Sequence, residues 1–100
     1  MPERDTSALD RADTPLYTIG QVAELLHARP AALRRLEQQG IVAPERSDGG
    51  HRRYSRRDVE QAREAMELAD EGIGPAGVRK VLELRRRISD LESELDQRRP

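Results

Sequence analysis

Aliphatic residues of this chain recur at steps of three and four in short runs, and proline or glycine separates one run from the next. The first run consists of Ile19, Val22, Ala23 and Leu26. This spacing places all four on one face and predicts a short helix from about 18 to 26. Thr18 and Gln21 have the spacing of a capping box at its start. Since aromatic residues make up only 2% of the chain, aliphatic side chains must supply most of the core.

A second short helix is predicted after a break of three residues, His27-Ala28-Arg29. Pro30 suits the first helical turn, where its missing N–H has no partner within the helix. Leu33 and Leu36 form the apolar stripe, and Gly40 can adopt the left-handed conformation that ends a helix. Two short helices joined by a tight break, the second one basic, indicate a helix-turn-helix.

A small hairpin, the wing, is predicted between residues 41 and 54. The apolar run Ile41-Val42-Ala43 is followed by the turn-forming Asp48-Gly49-Gly50 and then by His51-Arg52-Arg53-Tyr54. Ser55 and Asp58 again have capping spacing and predict a third helix from about 56 to 70.

The C-terminal region has the pattern of a coiled coil. Pro75 can start another helix, and beyond it apolar residues repeat every 3.5 positions. We call them the seam: Val81, Leu84, Ile88, Leu91 and Leu95. A lone helix cannot bury so narrow a stripe, so a partner helix and a homodimer are predicted. Arg85, Arg86 and Arg87 then fit a coiled-coil surface better than a second nucleic-acid patch.

Charge is distributed unevenly along the chain, although the total is only -1. Residues 29–57 hold eight arginines against three acidic side chains, a net charge of +5, between flanks of -3 each. A basic segment of this kind indicates a nucleic-acid partner. Residues 1–15 are polar and broken by prolines, so they are expected to form a disordered arm. The predicted units are therefore this arm, a DNA-binding domain over 16–72 and a dimerisation segment over 73–100.

Other classes of function find little support. The chain has no cysteine, and the two histidines, His27 and His51, lack the further ligands that a metal site needs. We find no nucleophile triad and no phosphate-binding glycine loop, so an enzyme is not expected, and no cofactor or metal either. With no spanning apolar run and no signal-peptide pattern, a cytoplasmic location without membrane contact is expected.

Several motifs in order resemble the DNA-binding domain of MerR-type transcriptional regulators. They are Tyr17-Thr18-Ile19-Gly20-Gln21-Val22-Ala23, Leu33-Arg34, Glu37, Gly40-Ile41, Pro44, Gly50-His51-Arg52-Arg53-Tyr54-Ser55 and Asp58-Val59. The resemblance runs from about 16 to 84. Within the superfamily, the segment Glu71–Val78 and Leu82-Glu83-Leu84 are most similar to the heat-shock repressor branch, HspR. Two positions in the turn before the second helix depart from the pattern: His27 stands where the turn usually has glycine, and Arg29 where a capping residue precedes the proline.

The resemblance implies a mainly α, winged helix-turn-helix fold with a two-stranded wing and a C-terminal dimerisation helix. It also implies a dimer on double-stranded DNA, with second helices in successive major grooves, wings along the backbone and C-terminal helices paired antiparallel. HspR-like members repress chaperone genes, which implies a repressor controlled by a DnaK-type chaperone or another protein partner. The chain has neither the cysteines of metal-sensing members nor room for an effector domain, so small-molecule and metal sensing are not expected.

Arginines are the main candidates for DNA contact, because the guanidinium fork can pair with guanine or phosphate. Arg34 and Arg35 are predicted to enter the groove. Strand alternation places Arg52 and Tyr54 on one face of the wing and His51 and Arg53 on the other, and the resemblance favours the first pair. Tyr54 could instead pack over the core with its hydroxyl outward. The predicted DNA-contact residues are Thr18, Arg29, Ala31, Arg34, Arg35, His51, Arg52, Arg53 and Tyr54.

Three functions remain open at this point. The basic segment, the wing and the seam favour a sequence-specific regulator that acts as a repressor on an inverted repeat. An excisionase-like architectural protein would share the winged domain, but such proteins usually lack a dimer helix. A protein-interaction adaptor that uses the C-terminal helix would explain the alanines at positions 31 and 32, where the family often has base-reading side chains.

Overall fold

The computed structural model describes residues 11–99 and contains four helices and one two-stranded antiparallel sheet within that range. The elements are α1 (Ile19–Leu26), α2 (Pro30–Gln38), β1 (Glu45–Arg46), β2 (Arg52–Arg53), α3 (Arg56–Asp70) and α4 (Pro75–Gln97). The predicted mainly α, winged helix-turn-helix fold is confirmed. The predicted helix starts near 18, 56 and 75 agree with the observed ones to within one residue.

Both predicted capping boxes are present. At α1 the Gln21 N–H donates to Thr18 Oγ1 over 3.1 Å, and the Thr18 N–H donates to Gln21 Oε1 over 2.9 Å. Ser55 and Asp58 make the same reciprocal pair at the start of α3. Each box gives two backbone N–H groups at the start of the helix a side-chain acceptor, which fixes where the helix begins.

The turn between α1 and α2 tolerates both departures from the family pattern. His27 takes the left-handed conformation, with φ 53° and ψ 44°, where glycine would carry no steric cost. Arg29 precedes α2 and makes no side-chain cap, so Pro30 alone marks the helix start. Gly40, at φ +73°, ends the helix as predicted.

The wing is shorter than predicted, and its first strand begins at Glu45 rather than at Ile41. Ile41 and Val42 are buried in the core instead of lying in the sheet. Pro44, which has no N–H to donate, separates them from the strand. The observed register pairs Glu45 with Arg53 and Arg46 with Arg52.

The core lies where the helix-turn-helix, the base of the wing, α3 and the first turns of α4 meet. It is aliphatic except for one tyrosine, as the composition requires. Its buried apolar members are Val22, Ala23, Leu33, Leu36, Ile41, Val42, Tyr54, Ala62, Ala65, Leu68, Val78 and Leu82. Tyr54 is fixed by an antiparallel bridge to Tyr17, in which its N–H donates to the Tyr17 carbonyl over 2.7 Å.

The predicted arm falls partly outside the described residues, since 1–10 are not among them. Residues 11–15 lie against the domain and do not extend away from it. The carbonyl of Ala12 accepts a hydrogen bond of 2.9 Å from the Arg57 N–H. That N–H belongs to the first turn of α3, whose amides have no partner inside the helix, so the contact satisfies an otherwise orphaned donor.

Helix α4 starts in the core and then leaves it. Val78 and Leu82 are buried, and Val81 packs partly against the domain. The other four seam residues are exposed by half or more: Leu84 50%, Ile88 55%, Leu91 51% and Leu95 61%. Charged residues fill the rest of this helix, and no helix in residues 11–99 has an apolar stretch that could cross a membrane.

Candidate nucleic-acid interface

Helix α2 buries one face and leaves a basic face open. Leu33 and Leu36 pack into the core, while Ala31, Arg34 and Arg35 are exposed. The apolar pair is three residues apart and the outward positions fall between and before it, as expected for an amphipathic helix. This is the arrangement that a recognition helix needs, because its outer side chains must reach base edges.

The two arginines of α2 differ in their surroundings. Arg34 is exposed on the outer side of α2. Arg35 lines an apolar groove between α2 and α3, together with Ala32, Met66 and Ala69. Successive residues of a helix are about 100° apart, so the two arginines face different directions, and of the two only Arg35 lines this groove.

Glu37 joins α2 to both strands of the wing. Its Oε1 accepts a hydrogen bond of 2.5 Å from Arg52 Nε, and its Oε2 accepts one of 3.1 Å from Arg46 Nη2. Arg46 also donates from Nη1 to the Gly50 carbonyl over 3.2 Å, which holds the tip of the wing. One carboxylate thus ties together a helix and two strands.

The electrostatics of this cluster favour the charged forms. The hydrogen bond from Arg52 lowers the pKa of Glu37 below its usual value, against the opposing effect of burial. The same bond raises the pKa of Arg52. Glu37 is consequently an anion and Arg52 a cation at neutral pH, and the pair is a charge-assisted hydrogen bond.

Tyr54 does not reach the surface, which corrects its assignment to DNA contact. Its side chain is 0% exposed, and its hydroxyl has no hydrogen-bond partner within the described residues. Burial raises the pKa of the phenol. The alternation that puts Arg52 and Tyr54 on one face holds, but that face is turned toward α2 and the core. The hydroxyl is buried too, so it does not point outward as the packing alternative supposed.

The remaining predicted contact residues differ in exposure. Arg29 and His51 are exposed, at the start of α2 and at the tip of the wing. Arg53 is partly buried and donates to the Arg52 carbonyl over 3.2 Å. Thr18 is partly buried, and its side chain caps α1.

Sequence reasoning missed the roles of two arginines and one acid. Glu37 and Arg46 were recognised only as parts of a motif and of a charge count, yet they anchor the wing. Arg79 of α4 donates to the Gln39 carbonyl over 2.7 Å and so closes the C-terminal end of α2. These contacts join residues 9 to 40 positions apart, for which a single sequence gives no spacing signal.

A metal centre has no support in the part of the chain that is described. No group of three or more histidine or acidic side chains is arranged to hold an ion there. His27 occupies the turn after α1 and His51 the tip of the wing. The observed geometry offers a basic protein surface composed of α2 and the wing.

The sequence matches the MerR family of helix-turn-helix regulatory proteins over residues 17–84. It is 40% identical over 82 residues to the protein named as heat shock protein HspR in Streptomyces coelicolor, covering 81% of this chain and 54% of that one. It is 36% identical over 73 residues to the transcriptional regulator GlnR of Bacillus anthracis, covering 73% and 57%.

A solved structure has the same fold. It is HiNmlR, a MerR family regulator lacking the sensor domain, bound to promoter DNA; the TM-score is 0.63 at 20% identity, over 80% of this chain and 67% of that one. The chain spans little more than half the length of the curated relatives named above. The resemblance seen in the motifs is confirmed.

Proposed function

The chain belongs to the MerR family of DNA-binding transcriptional regulators, and from that premise we propose that it represses transcription as a homodimer on an inverted-repeat operator. The observation that carries the proposal is the single basic surface formed by α2 and the wing. Arg34 is exposed on α2, and Arg52 of the wing is joined to the same helix by its ion pair with Glu37. A helix that presents side chains to base edges beside a wing that follows the backbone is the docking geometry of this class of domain.

In this proposal the two arginines have different tasks. Arg34 is exposed on α2 and reads bases in the major groove. Arg52 keeps its Nη atoms free of hydrogen bonds to residues 11–99, because it meets Glu37 through Nε. Those atoms contact a phosphate, which positions the domain without reading sequence.

The dimer is proposed to form through α4 in antiparallel orientation. Residues 79–87 of this helix carry five basic side chains and one acidic one, whereas residues 90–96 carry four acidic side chains and no basic one. Antiparallel pairing places the basic half of one helix along the acidic half of the other. Parallel pairing would place like charges side by side.

One register buries all four exposed seam residues. It pairs Leu84 with the partner's Leu95 and Ile88 with the partner's Leu91. In this register Arg85 lies across from the partner's Glu92, and Arg87 across from the partner's Glu94. Each pair occurs twice by symmetry. The exposed apolar surface and the charge pattern thus both support the same arrangement.

The dimer has a direct charge-swap test. Arg87→Glu alone is expected to weaken self-association, measured by sedimentation equilibrium, and Glu94→Arg alone should do the same. Mixing the two variants should restore a dimer of one chain of each kind, because each then supplies the charge that the other needs. The double variant Arg87→Glu/Glu94→Arg should form homodimers again. Unchanged association of the single variants would overturn this register.

A stress-response role is the finer part of the proposal, and it is supported by the 40% identity to the HspR protein. The test is to select fragments of genomic DNA with the purified protein at near-physiological salt and to sequence them. Enrichment of an inverted repeat upstream of chaperone genes supports this role. An inverted repeat upstream of other genes supports a transcriptional regulator without the stress-response role. No enrichment at all favours the adaptor alternative. Strong binding without sequence preference favours the architectural alternative.

A further inference from the structure

Glu37 is an acidic residue in the centre of a surface whose proposed partner is a polyanion. It is the residue through which α2 contacts Arg46 and Arg52. Its side chain is only 24% exposed, so it is part of the packed junction between helix and wing. On charge alone, an acid at this place should oppose DNA binding.

The wing has few other means of keeping its shape. Its strands are two residues long, far below the length at which a hairpin is stable by itself. The register places Arg46 directly opposite Arg52, and two like charges in that position repel each other. The carboxylate of Glu37 lies against both guanidinium groups and offsets this repulsion.

We propose that Glu37 is a positioning residue for DNA binding, which holds the wing on α2 and orients Arg52 toward a phosphate. The inference rests on the proposed function. Because Glu37 engages Arg52 through Nε, it fixes the plane of the guanidinium and leaves the Nη edge for the ligand. The two Nη atoms and α2 then face the duplex as one preorganised surface.

The proposal and plain electrostatics predict opposite signs for the same substitution. Glu37→Gln keeps the size of the side chain and removes one negative charge, so charge alone would tighten DNA binding. If Glu37 positions Arg52, binding weakens instead, by about tenfold, the value of one charge-assisted hydrogen bond. Glu45→Gln is the matched control: Glu45 lies in the same wing, is exposed, and makes no ion pair with residues 11–99.

The experiment measures affinity for a duplex of unrelated sequence by fluorescence anisotropy at several salt concentrations, with circular dichroism to monitor folding. Loss of one phosphate contact lowers the slope of log K against log salt by about one. A variant that is merely part-unfolded binds less but keeps the wild-type slope. We expect Glu37→Gln to lower both affinity and slope, and Glu45→Gln to bind slightly tighter than wild type.

The possible outcomes distinguish failure of the positioning role from failure of the proposed function. Binding by Glu37→Gln that equals or exceeds wild type, or that falls at an unchanged slope, overturns the positioning role and leaves DNA binding intact. Failure of the wild-type protein to bind duplex DNA with any salt dependence overturns the proposed function itself.

Discussion

Replacing Tyr54 by phenylalanine should stabilise this protein. The hydroxyl is buried and has no hydrogen-bond partner in the described residues, while the ring fills the centre of the core. A buried hydroxyl without a partner costs about 1–3 kcal/mol, since its bonds to water are lost and not replaced. Phenylalanine keeps the ring and removes the cost. We therefore expect the free energy of unfolding to rise by about 1 kcal/mol, allowing for the few contacts that the oxygen makes.

Urea unfolding followed by circular dichroism measures this change. In a thermal scan of a domain of this size, the same 1 kcal/mol corresponds to a shift of about 4–8 °C in Tm. All samples need the same protein concentration, because the proposed dimerisation would make the midpoint depend on it. Tyr17→Phe is the control: Tyr17 is only partly buried, so loss of its hydroxyl should change stability by less than about 0.5 kcal/mol.

The same variant tests the burial of Tyr54 against the role that the family resemblance gave it. If the phenol is in the core, Tyr54→Phe binds DNA as tightly as wild type. A loss of 1 kcal/mol or more in stability would mean that the hydroxyl has a partner in solution. A loss of DNA affinity with stability unchanged would mean that Tyr54 reaches the duplex, and either result would refute the argument from burial.

Three further predictions concern the interface and the seam. Arg34→Ala should relax base preference in the selected site, whereas Arg52→Ala should weaken binding to all sequences similarly. Competition binding with unrelated duplexes distinguishes the two results. Equal effects of the two variants would contradict the division of tasks. Ile88→Asp should give a monomer in sedimentation, and a persistent dimer would move the interface elsewhere. Because ion pairing lowers the pKa of Glu37, its support of the wing is complete above its ordinary value of 4.5 and is lost as pH falls through the lowered value. Amide hydrogen exchange in the wing measures this loss of support. Faster exchange that begins near neutral pH would exclude Glu37 as its cause.

Local signals made most of the helical framework predictable. The capping pairs at Thr18 and Ser55 and the apolar spacing behind them depend on residues within one or two turns, so a sequence contains all the information they need. The left-handed conformation of His27 was also predictable, since His27 fills the family's glycine position. Helix starts were accordingly predicted to within a residue.

The candidate site was less predictable because its geometry depends on packing between distant segments. Strand alternation correctly placed Arg52 and Tyr54 on one face, but only the bridge to Tyr17 and the contact with α2 decide that this face is turned inward. The apolar run at Ile41 looked like a strand because burial in a sheet and burial under a helix need the same side chains. The wing begins where Pro44 ends that run.

Helix α4 runs without glycine or proline from Leu82, which is fixed in the core, to Ile88, which is exposed at the seam. Each residue of such a helix advances about 1.5 Å and turns about 100°. In the proposed dimer, the distance between the two DNA-reading surfaces and their rotation are therefore set by a count of residues in one helix. Inserting a single alanine after Glu83 would turn one domain out of phase with the other while leaving every DNA-contact residue intact. In this proposal, the half-site spacing of the operator is encoded as a length of chain that does not approach the DNA.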